Sequence, residues 1–314
     1  MKQNLEKKRH PYRWGVIYGL LLTAYALFTL LDVFVIPRDI VYLDELSSSS
    51  SSSSSEEAST SSEESTQNEP VVTGTSYQSD NISITLTTQR IQDTQVYIAD
   101  VQLKDASLLR AGLADDAFGR NVGEATSVIA EEVGAILAIN GDYYGFRDEG
   151  FVMRNGYLYR DTARSGYGND DLVIYEDGTF AIVDEANSDA QTLADEGAVQ
   201  IFSFGPGLVE DGEITVNEAT EVDQAMRSNP RTAIGMIEPL HYLLVVSDGR
   251  TDESEGLTLM ELAQVMQDLG CQTAYNLDGG GSSTMWFMGE VVNVPTDGRS
   301  IRERSVSDIV YIGE

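Results

Sequence analysis

Two glycine-containing loops carry the side chains best suited to chemistry. The first follows the apolar run 135–139, which is typical of a buried strand, and contains Asn140, Gly141, Asp142 and Tyr143. Carboxylates act as nucleophiles or general bases, glycines permit close backbone approach, and aromatic rings stack on sugar faces. An ordinary Asn-Gly turn has the same residues, with the aspartate accepting local amide hydrogen bonds. This loop by itself therefore leaves a site and a turn as alternatives.

The second loop combines an acidic side chain with consecutive glycines and hydroxyl groups. Asn276 and Asp278 lead into a run that comprises Gly279, Gly280, Gly281, Ser282, Ser283 and Thr284. Successive glycine amides and hydroxyl groups donate hydrogen bonds to phosphate or to sugar hydroxyls. The loop has neither the Gly-Lys-Ser/Thr ending of a P-loop nor the spacing of a dinucleotide-binding motif. It predicts a cradle for a phosphate or a sugar.

The charge of the chain limits what it binds. There are 51 acidic residues against 20 basic ones, a net charge of -31, so nucleic-acid binding through non-specific charge is excluded. An acidic domain repels anions at long range, so a phosphate must be held by local arginines and backbone amides.

Several arginines are placed to hold such a phosphate. Arg231 and Thr232 stand at a predicted strand start, while Asp248 and Arg250 follow the next strand. For Arg231 the alternative is a surface salt bridge. For Asp248 and Arg250 the alternative is an ordinary turn. We also expect one member of the C-terminal cluster to reach a site, the cluster being Arg299, Arg302 and Arg304.

The scarcity of other reactive side chains leaves carboxylate chemistry. Cys271 is the single cysteine, and His10 and His241 are the two histidines, which excludes an internal disulfide, a cysteine-based zinc site and a histidine-rich metal centre. His241 lies in an apolar run and is interpreted as structural. The sequence requires no cofactor. A divalent cation at a cluster of Asp142, Asp248 and Asp278 stays open, and the metal ligands are unknown.

The N-terminal region predicts a membrane anchor and a spacer. Residues 1–13 form a basic, cytoplasmic tail, and 14–36 form an apolar helix long enough for the ~30 Å hydrocarbon core. The charge asymmetry predicts a single-pass signal-anchor with the N-terminus inside and the rest outside the cell membrane. Cleavage near Ala24-Tyr25-Ala26 followed by secretion is the alternative. Residues 37–70, with nine serines at 47–55, predict a disordered Ser/Glu-rich spacer that holds the domain away from the membrane.

Residues 71–314 predict one α+β domain with a mixed or antiparallel sheet and a few helices. Hairpins are expected around 176–179 and 238–240, with a strand irregularity near Ala99. The clearest helix, 259–269, has Thr258 and Glu261 in capping-box spacing and Gly270 as its stop.

The motifs, taken in order, resemble the phosphodiester glycosidase family. The resemblance covers roughly 125–312 and rests on 140–142, 204–206, 229–235, 248–250 and above all the long motif 276–285. It implies hydrolysis of a bond between sugar C1 and phosphate, with Asp142 and Asp278 as catalytic carboxylates whose roles stay undivided. The remaining motif residues, arginines and amides are then expected to bind a glycan or glycosyl-phosphate substrate.

The leading hypothesis is therefore an extracytoplasmic, membrane-anchored glycosidase acting on glycosyl phosphodiesters of exopolysaccharide or the cell envelope. Two alternatives stay open: a non-catalytic module that binds phosphoglycans, and a metal-dependent phosphodiesterase that cleaves the phosphorus–oxygen bond.

Overall fold

The structure is a computed structural model that describes residues 13–43, 69–166, 168–217 and 228–314. Most of the predicted basic tail and spacer lies outside these residues. The helices of the described part are α1 (Arg13–Phe34), α2 (Thr126–Glu132), α3 (Ala190–Asp195) and α4 (Leu259–Asp268).

A large antiparallel sheet forms the centre of the domain. Its strands, numbered in chain order and given in spatial order, are β15 (Glu213–Ile214), β14 (Gly207–Glu210), β18 (Thr273–Asn276), β16 (Arg231–Glu238), β17 (His241–Ser247), β5 (Thr94–Leu103), β4 (Ile82–Ile91), β3 (Ser76–Gln78) and β2 (Val71–Thr73). The expected turn at 238–240 connects β16 to β17. The ladder between β4 and β5 runs in regular register from Ile82 to Ile91, so the predicted irregularity near Ala99 is wrong. Both strands are long and continuously paired, and regular pairing leaves no place for an extra residue.

Two smaller antiparallel sheets pack against this centre. One, the β8 sheet, has the order β20 (Glu290–Val291), β19 (Met285–Phe287), β8 (Leu137–Asn140), β23 (Asp308–Ile312) and β6 (Leu109–Leu113). The other, the β11 sheet, has the order β10 (Tyr157–Arg160), β9 (Val152–Arg154), β13 (Ala198–Phe202), β11 (Asp170–Tyr175) and β12 (Phe180–Asp184). Short pairs join β1 (Arg38–Tyr42) to β7 (Ala117–Arg120) and β21 (Thr296–Asp297) to β22 (Ser300–Ile301).

Helices cover the outer faces. α4 packs on the large sheet through a buried apolar face that includes Leu262 and Met266. Thr258 and Glu261 form the expected capping box, and Gly270 follows with φ 91°, a conformation that favours glycine. α2 packs on the β8 sheet through Ile129 and Ala130. The α+β fold, mostly antiparallel sheet with few helices, is confirmed.

The N-terminal helix and the segment after it differ in part from expectation. α1 is long and apolar enough to cross a membrane, with mean hydropathy 1.8 over Trp14–Asp32, and this stretch is not buried against the domain. A signal sequence has the same length and hydropathy. Beyond α1, β1 pairs with β7, and Leu43 packs against the buried cluster of Leu113, Tyr144 and Val152. The prediction of a disordered spacer beginning at residue 37 is therefore wrong for Arg38–Tyr42. These residues precede the serine run and pair through their backbones, a contact that composition does not reveal.

Candidate active site

The two motif loops meet at the junction of two sheets. Asn140 ends β8, Asn276 ends β18 of the large sheet, and the glycine-rich loop crosses from β18 to β19 of the β8 sheet. The backbone N–H of Asp278 donates to the carbonyl of Gly141 at 3.3 Å, which joins the loops directly. Because strand pairing fixes both loop starts, the site has a rigid base.

A cavity of about 440 Å³ opens beside these loops. Four predicted site residues line it, Asp142, Tyr143, Asp278 and Ser282. The other lining residues are Phe146, Asp297, Arg302, Glu303, Arg304, Ser305 and Val306. The exposed ring of Tyr143 stacks on Phe146 with centroids 5.0 Å apart, which creates an aromatic surface at the rim.

Asp142 is held by a buried arginine that also holds a second carboxyl group. Nη2 of Arg154 lies 3.0 Å from Oδ2 of Asp142 and 2.7 Å from Oδ2 of Asp308. All three side chains are buried. We call Arg154, Asp142 and Asp308 the Arg154 cluster. The two oxygens of Asp142 also accept hydrogen bonds from the backbone N–H groups of Tyr144 (2.8 Å) and Ser203 (3.0 Å).

The two carboxyl groups of this cluster differ in acidity. Burial acts to raise the pKa of Asp142, but Arg154, Arg147 and the two backbone amides outweigh it and hold the pKa below its ordinary value. For Asp308, burial dominates and the neighbouring Asp142 charge adds to it, which raises the pKa to about 7 despite Arg154. Asp142 therefore gives up its proton at a lower pH than Asp308 does.

Asp278 is the more open of the two predicted catalytic carboxyl groups. Its Oδ2 accepts hydrogen bonds from the hydroxyl of Ser282 at 2.6 Å and from Nη2 of Arg304 at 3.0 Å. Burial raises the pKa of Asp278, and Arg304 and Ser282 oppose that shift. The side chain keeps 12% of its surface exposed, whereas the side chain of Asp142 keeps none. The two aspartates thus share a cavity but not an environment.

Asn140 fastens the two loops together. Its amide nitrogen donates to the carbonyls of Asp278 (2.7 Å) and Gly141 (3.2 Å), and its oxygen accepts from the hydroxyl of Thr232 at 2.8 Å and the N–H of Thr284 at 3.3 Å. Asn140 and Thr232 therefore position the loops from a buried location.

The loop glycines are close-contact positions. A Cβ on Gly141 would lie 2.3 Å from Oδ1 of Asp308. Gly279 lies against the Pro230 carbonyl, Gly280 against the Arg250 guanidinium, and Gly281 against Asp297 and Arg304. Only Gly281 of these three therefore directly faces residues that line the cavity.

The remaining predicted residues make their contacts around this centre. Nε of Arg231 donates to the carbonyl of Leu257 at 2.8 Å, in a buried position. The exposed Arg250 bonds to the side-chain oxygen of Asn229 at 3.1 and 3.2 Å. Asn276 donates to the carbonyl of Gly205 at 2.7 Å, and Ser283 and Thr284 are buried. The assignment of these residues to substrate binding stays a prediction.

Asp248 stands apart from the other two predicted aspartates. Its oxygens accept from the N–H of Val294 at 2.7 Å and from the hydroxyl of Tyr97 at 3.1 Å, behind the segment that carries Asp297. Burial raises its pKa. Among the described residues, no group of three or more histidine, cysteine, aspartate or glutamate side chains is placed to hold a metal ion. The cluster of Asp142, Asp248 and Asp278 is thus not formed as a ligand set.

The sequence did not indicate Arg154 or Asp308 as site residues. It indicated the C-terminal arginine cluster but not which of its members, Arg304, contacts Asp278. Arg154 follows Val152 and Met153 in an apolar strand, and Asp308 begins the apolar strand β23. A charged residue inside an apolar strand is the signal that marks a buried ion pair.

The domain matches a known family. The profile described as phosphodiester glycosidase matches residues 133–313, more than half of the chain, so the chain belongs to this family. The resemblance inferred from the motifs is confirmed.

Individual relatives support this assignment. The chain is 32% identical over 200 residues to the SPbeta prophage-derived uncharacterized protein YomE of Bacillus subtilis (strain 168), covering 62% of this chain and 30% of that protein. It is 30% identical over 184 residues to N-acetylglucosamine-1-phosphodiester alpha-N-acetylglucosaminidase of Mus musculus, covering 54% and 35%. The chain thus spans about a third of the length of these relatives.

A solved structure shows the same fold. The catalytic domain of zebrafish N-acetylglucosamine-1-phosphodiester alpha-N-acetylglucosaminidase, auto-inhibited by its pro-peptide, superposes with a TM-score of 0.58 at 23% identity, covering 74% of this chain and 83% of that chain.

Proposed function

We propose that this domain hydrolyses the bond between sugar C1 and phosphate in a glycosyl phosphodiester of a polysaccharide or the cell envelope. One observation carries the proposal: a carboxyl group, Asp278, faces a cavity while bonded to an arginine and a hydroxyl group. Cleavage at C1 passes through a cationic transition state and releases a phosphate monoester. Such a reaction needs a carboxylate near C1 and cations near the departing phosphate.

Asp278 and Asp142 have different roles in this proposal. Asp278 is the group that activates water or attacks C1, because its side chain is the more exposed of the two. Asp142 accepts hydrogen bonds from two backbone amides and pairs with Arg154, so its carboxylate is kept ionised and immobile. It contributes a fixed negative charge that stabilises the developing cation on the sugar. The backbone N–H of Asp278 donates to the carbonyl of Gly141, the residue before Asp142, so the two loops are joined next to both aspartates.

The phosphate is held on the side of the cavity that carries Arg304 and Arg302. Arg304 bonds to Asp278 and Ser282, which brings a guanidinium next to the reacting bond. The side chain of Arg302 is 68% exposed and pairs with Asp297, so it meets an incoming anion first. Tyr143, stacked on Phe146, is placed to pack against the sugar ring. Arg231 and Arg250, which do not line this cavity, are proposed as further phosphate ligands.

The N-terminal residues support the location that we propose for the enzyme. The basic tail before an apolar helix supports a single-pass anchor at 14–36 with the domain outside the cell membrane. Removal of the helix by a signal peptidase is the alternative outcome. Membrane fractionation of the full chain, with external protease on intact cells, distinguishes the two.

Hydrolysis in ¹⁸O-labelled water tests the reaction. We expect the full chain to cleave a GlcNAc-1-phosphodiester and to place the label on the sugar, because the oxygen of water forms the new bond to C1 while the bond from C1 to the phosphate oxygen breaks. Label on the phosphate would assign the activity to a phosphodiesterase, and tight binding without turnover would assign a binding module. Asp278→Asn is the matched variant, since it keeps the shape of the side chain but neither attacks C1 nor takes a proton.

A further inference from the structure

The strand β1 ties the membrane end of α1 to the loop that carries Asp142. The helix ends at Phe34, and β1 begins at Arg38 and pairs with β7. Four steps along the chain separate Phe34 from Arg38, so the two residues lie at most ~14 Å apart, since an extended chain covers 3.3–3.6 Å per residue. The paired strand therefore keeps the domain close to the end of the helix.

A single asparagine connects both sides of this junction. The side chain of Asn121 donates to the carbonyl of Ile36 at 3.0 Å, and its backbone N–H donates to the carbonyl of Gly145 at 2.9 Å. Gly145 belongs to the loop that contains Asp142 and Tyr143. Asn121 thus bridges the exit of the helix and the loop that lines the candidate active site.

Apolar and ionic contacts reinforce the junction on both sides. Leu43 and Phe118 pack against the buried cluster that includes Tyr144, and the ring of Phe118 stacks on that of Tyr144 with centroids 5.1 Å apart. At the helix end, the guanidinium of Arg38 lies 2.8 Å from the carboxylate of Asp32. The contacts run continuously from the last helical turn to the active-site loop.

The serine-rich segment lies outside the described residues, but both strands that flank it are described. β1 ends at Tyr42 and β2 begins at Val71, and both strands belong to the folded domain. A connection between two strands of the same domain cannot set the distance between that domain and the helix. The length of the serine run is therefore not a tether length.

We propose that β1 docks the catalytic domain at the membrane surface, so that the site acts on a glycosyl phosphodiester whose phosphate is esterified to a bilayer-embedded lipid. This inference rests on the proposed function and on the retained anchor. Water forms a new C1–O bond, the bond from C1 to the phosphate oxygen breaks, and the proton from water ends on the released products. The sugar leaves into water while the lipid phosphate monoester stays in the bilayer.

Two matched insertions into the full chain test this docking. The same nine-residue Gly/Ser segment is placed between Val35 and Ile36 or between Ser50 and Ser51. The first insertion lengthens the tether by a root-mean-square span of about 15–18 Å. The second lengthens only the connection between β1 and β2. A simple spacer would respond equally to both.

Energy transfer from Trp286 to a dansyl lipid in phosphatidylcholine vesicles measures the distance, in a Trp14→Phe background that leaves Trp286 as the single tryptophan. We expect transfer to fall several-fold with the first insertion and to stay at the parent value with the second. Equal changes with both insertions, or no change with either, overturn the docking.

Two substrates test the lipid assignment: a GlcNAc-1-phosphodiester of dialkylglycerol in the same vesicles and the methyl diester in solution. The first insertion is expected to reduce cleavage of the lipid diester about tenfold and to leave the methyl diester unaffected, while the second affects neither. Equal loss on both substrates, or no loss on the lipid diester, overturns the lipid assignment. If the parent chain cleaves neither substrate, the proposed function fails and the lipid assignment with it, and the energy transfer alone decides the docking.

Discussion

Two arginines in this domain, the buried Arg154 and the partly buried Arg164, each hold two carboxyl groups, yet they serve different parts of the molecule. In the Arg154 cluster, one carboxyl belongs to Asp142, which lines the cavity. In the second, the Arg164 cluster, Arg164 lies 2.7 Å from Asp171 and 3.0 Å from Glu185. Arg164 also donates to the carbonyl of Phe204 at 2.9 Å, and Glu185 accepts from the N–H of Phe151 at 3.2 Å.

The two clusters differ in the backbone segments to which their carboxyl groups bond. Asp142 accepts from the N–H of Tyr144 in the active-site loop, whereas Asp171 and Glu185 fasten the start of β11 and the turn after β12. A buried ion cluster therefore does not by itself indicate a site. The functional distinction comes from the cavity, which Asp142 of the Arg154 cluster lines.

The largest expected effect is the loss of either central cation. Arg154→Met and Arg164→Met should each lower the free energy of unfolding by about 3–5 kcal/mol, because two buried carboxyl groups lose their partner. Urea unfolding at pH 7 measures this loss. Activity per folded molecule should fall only in Arg154→Met. Equal activity losses in the two variants would remove the functional distinction between the clusters.

Carboxyl substitutions sharpen the comparison. Asp278→Asn should reduce kcat on a glycosyl phosphodiester on the order of 10²-fold or more, with little change in unfolding. Asp171→Asn is the matched control in the Arg164 cluster and should keep the parent kcat. Near-normal turnover in Asp278→Asn with an intact fold would show that the catalytic assignment is wrong.

Asp142→Asn should also reduce kcat on the order of 10²-fold, with a loss of stability that Asp278→Asn lacks, because it weakens the pairing of Arg154. If the two aspartates act as one unit, the double variant should be only slightly less active than the worse single variant. Single-turnover kinetics of the three variants measure this coupling. If the fold-reduction of the double variant equals the product of the two single fold-reductions, the two aspartates have independent roles.

A glycine substitution tests the packing of the Arg154 cluster. Gly141→Ala puts a Cβ 2.3 Å from Oδ1 of Asp308 and should cost about 1–3 kcal/mol, the usual range for overpacking. Gly74→Ala is the control, since no heavy atom lies within 4 Å of its Cβ. Thermal unfolding measures both, and a neutral Gly141→Ala would contradict the tight approach of the loop to β23.

The smallest expected effect is a difference in pH dependence. The folded pKa of Asp308 is about 7, and burial followed by the Glu185 charge raises that of Asp171 to about 10. A raised carboxyl pKa means that the folded state binds the extra proton, so this stability is present below pH 4 and is lost as pH rises. Asp308→Asn should therefore flatten the fall in Tm between about pH 4 and 7. Asp171→Asn should flatten the part of the fall in Tm that continues towards pH 10. Identical profiles for both variants would contradict the assigned environments.

The sequence predicts local structure correctly where residues close together in the chain determine it. The capping box of α4 and the turns at 176–179 and 238–240 depend on side chains within a few positions. The spacer prediction failed at Arg38–Tyr42 because its partner strand is distant in the chain. The serine-rich composition indicated disorder, and a short strand next to it gave no periodic signal.

The sequence by itself determined the family and the acidic domain, and it identified Asp142 and Asp278 as the leading carboxylates, because motifs and composition are properties of the chain. Tertiary structure decided which residues share the cavity. Arg154 and Asp308 are 154 positions apart, and pairing of β8 with β23 brings Asp308 next to the loop after Asn140. The arginine that bonds to Asp278 is Arg304, not one of the arginines in the motifs, because that contact depends on how the strands pack rather than on spacing.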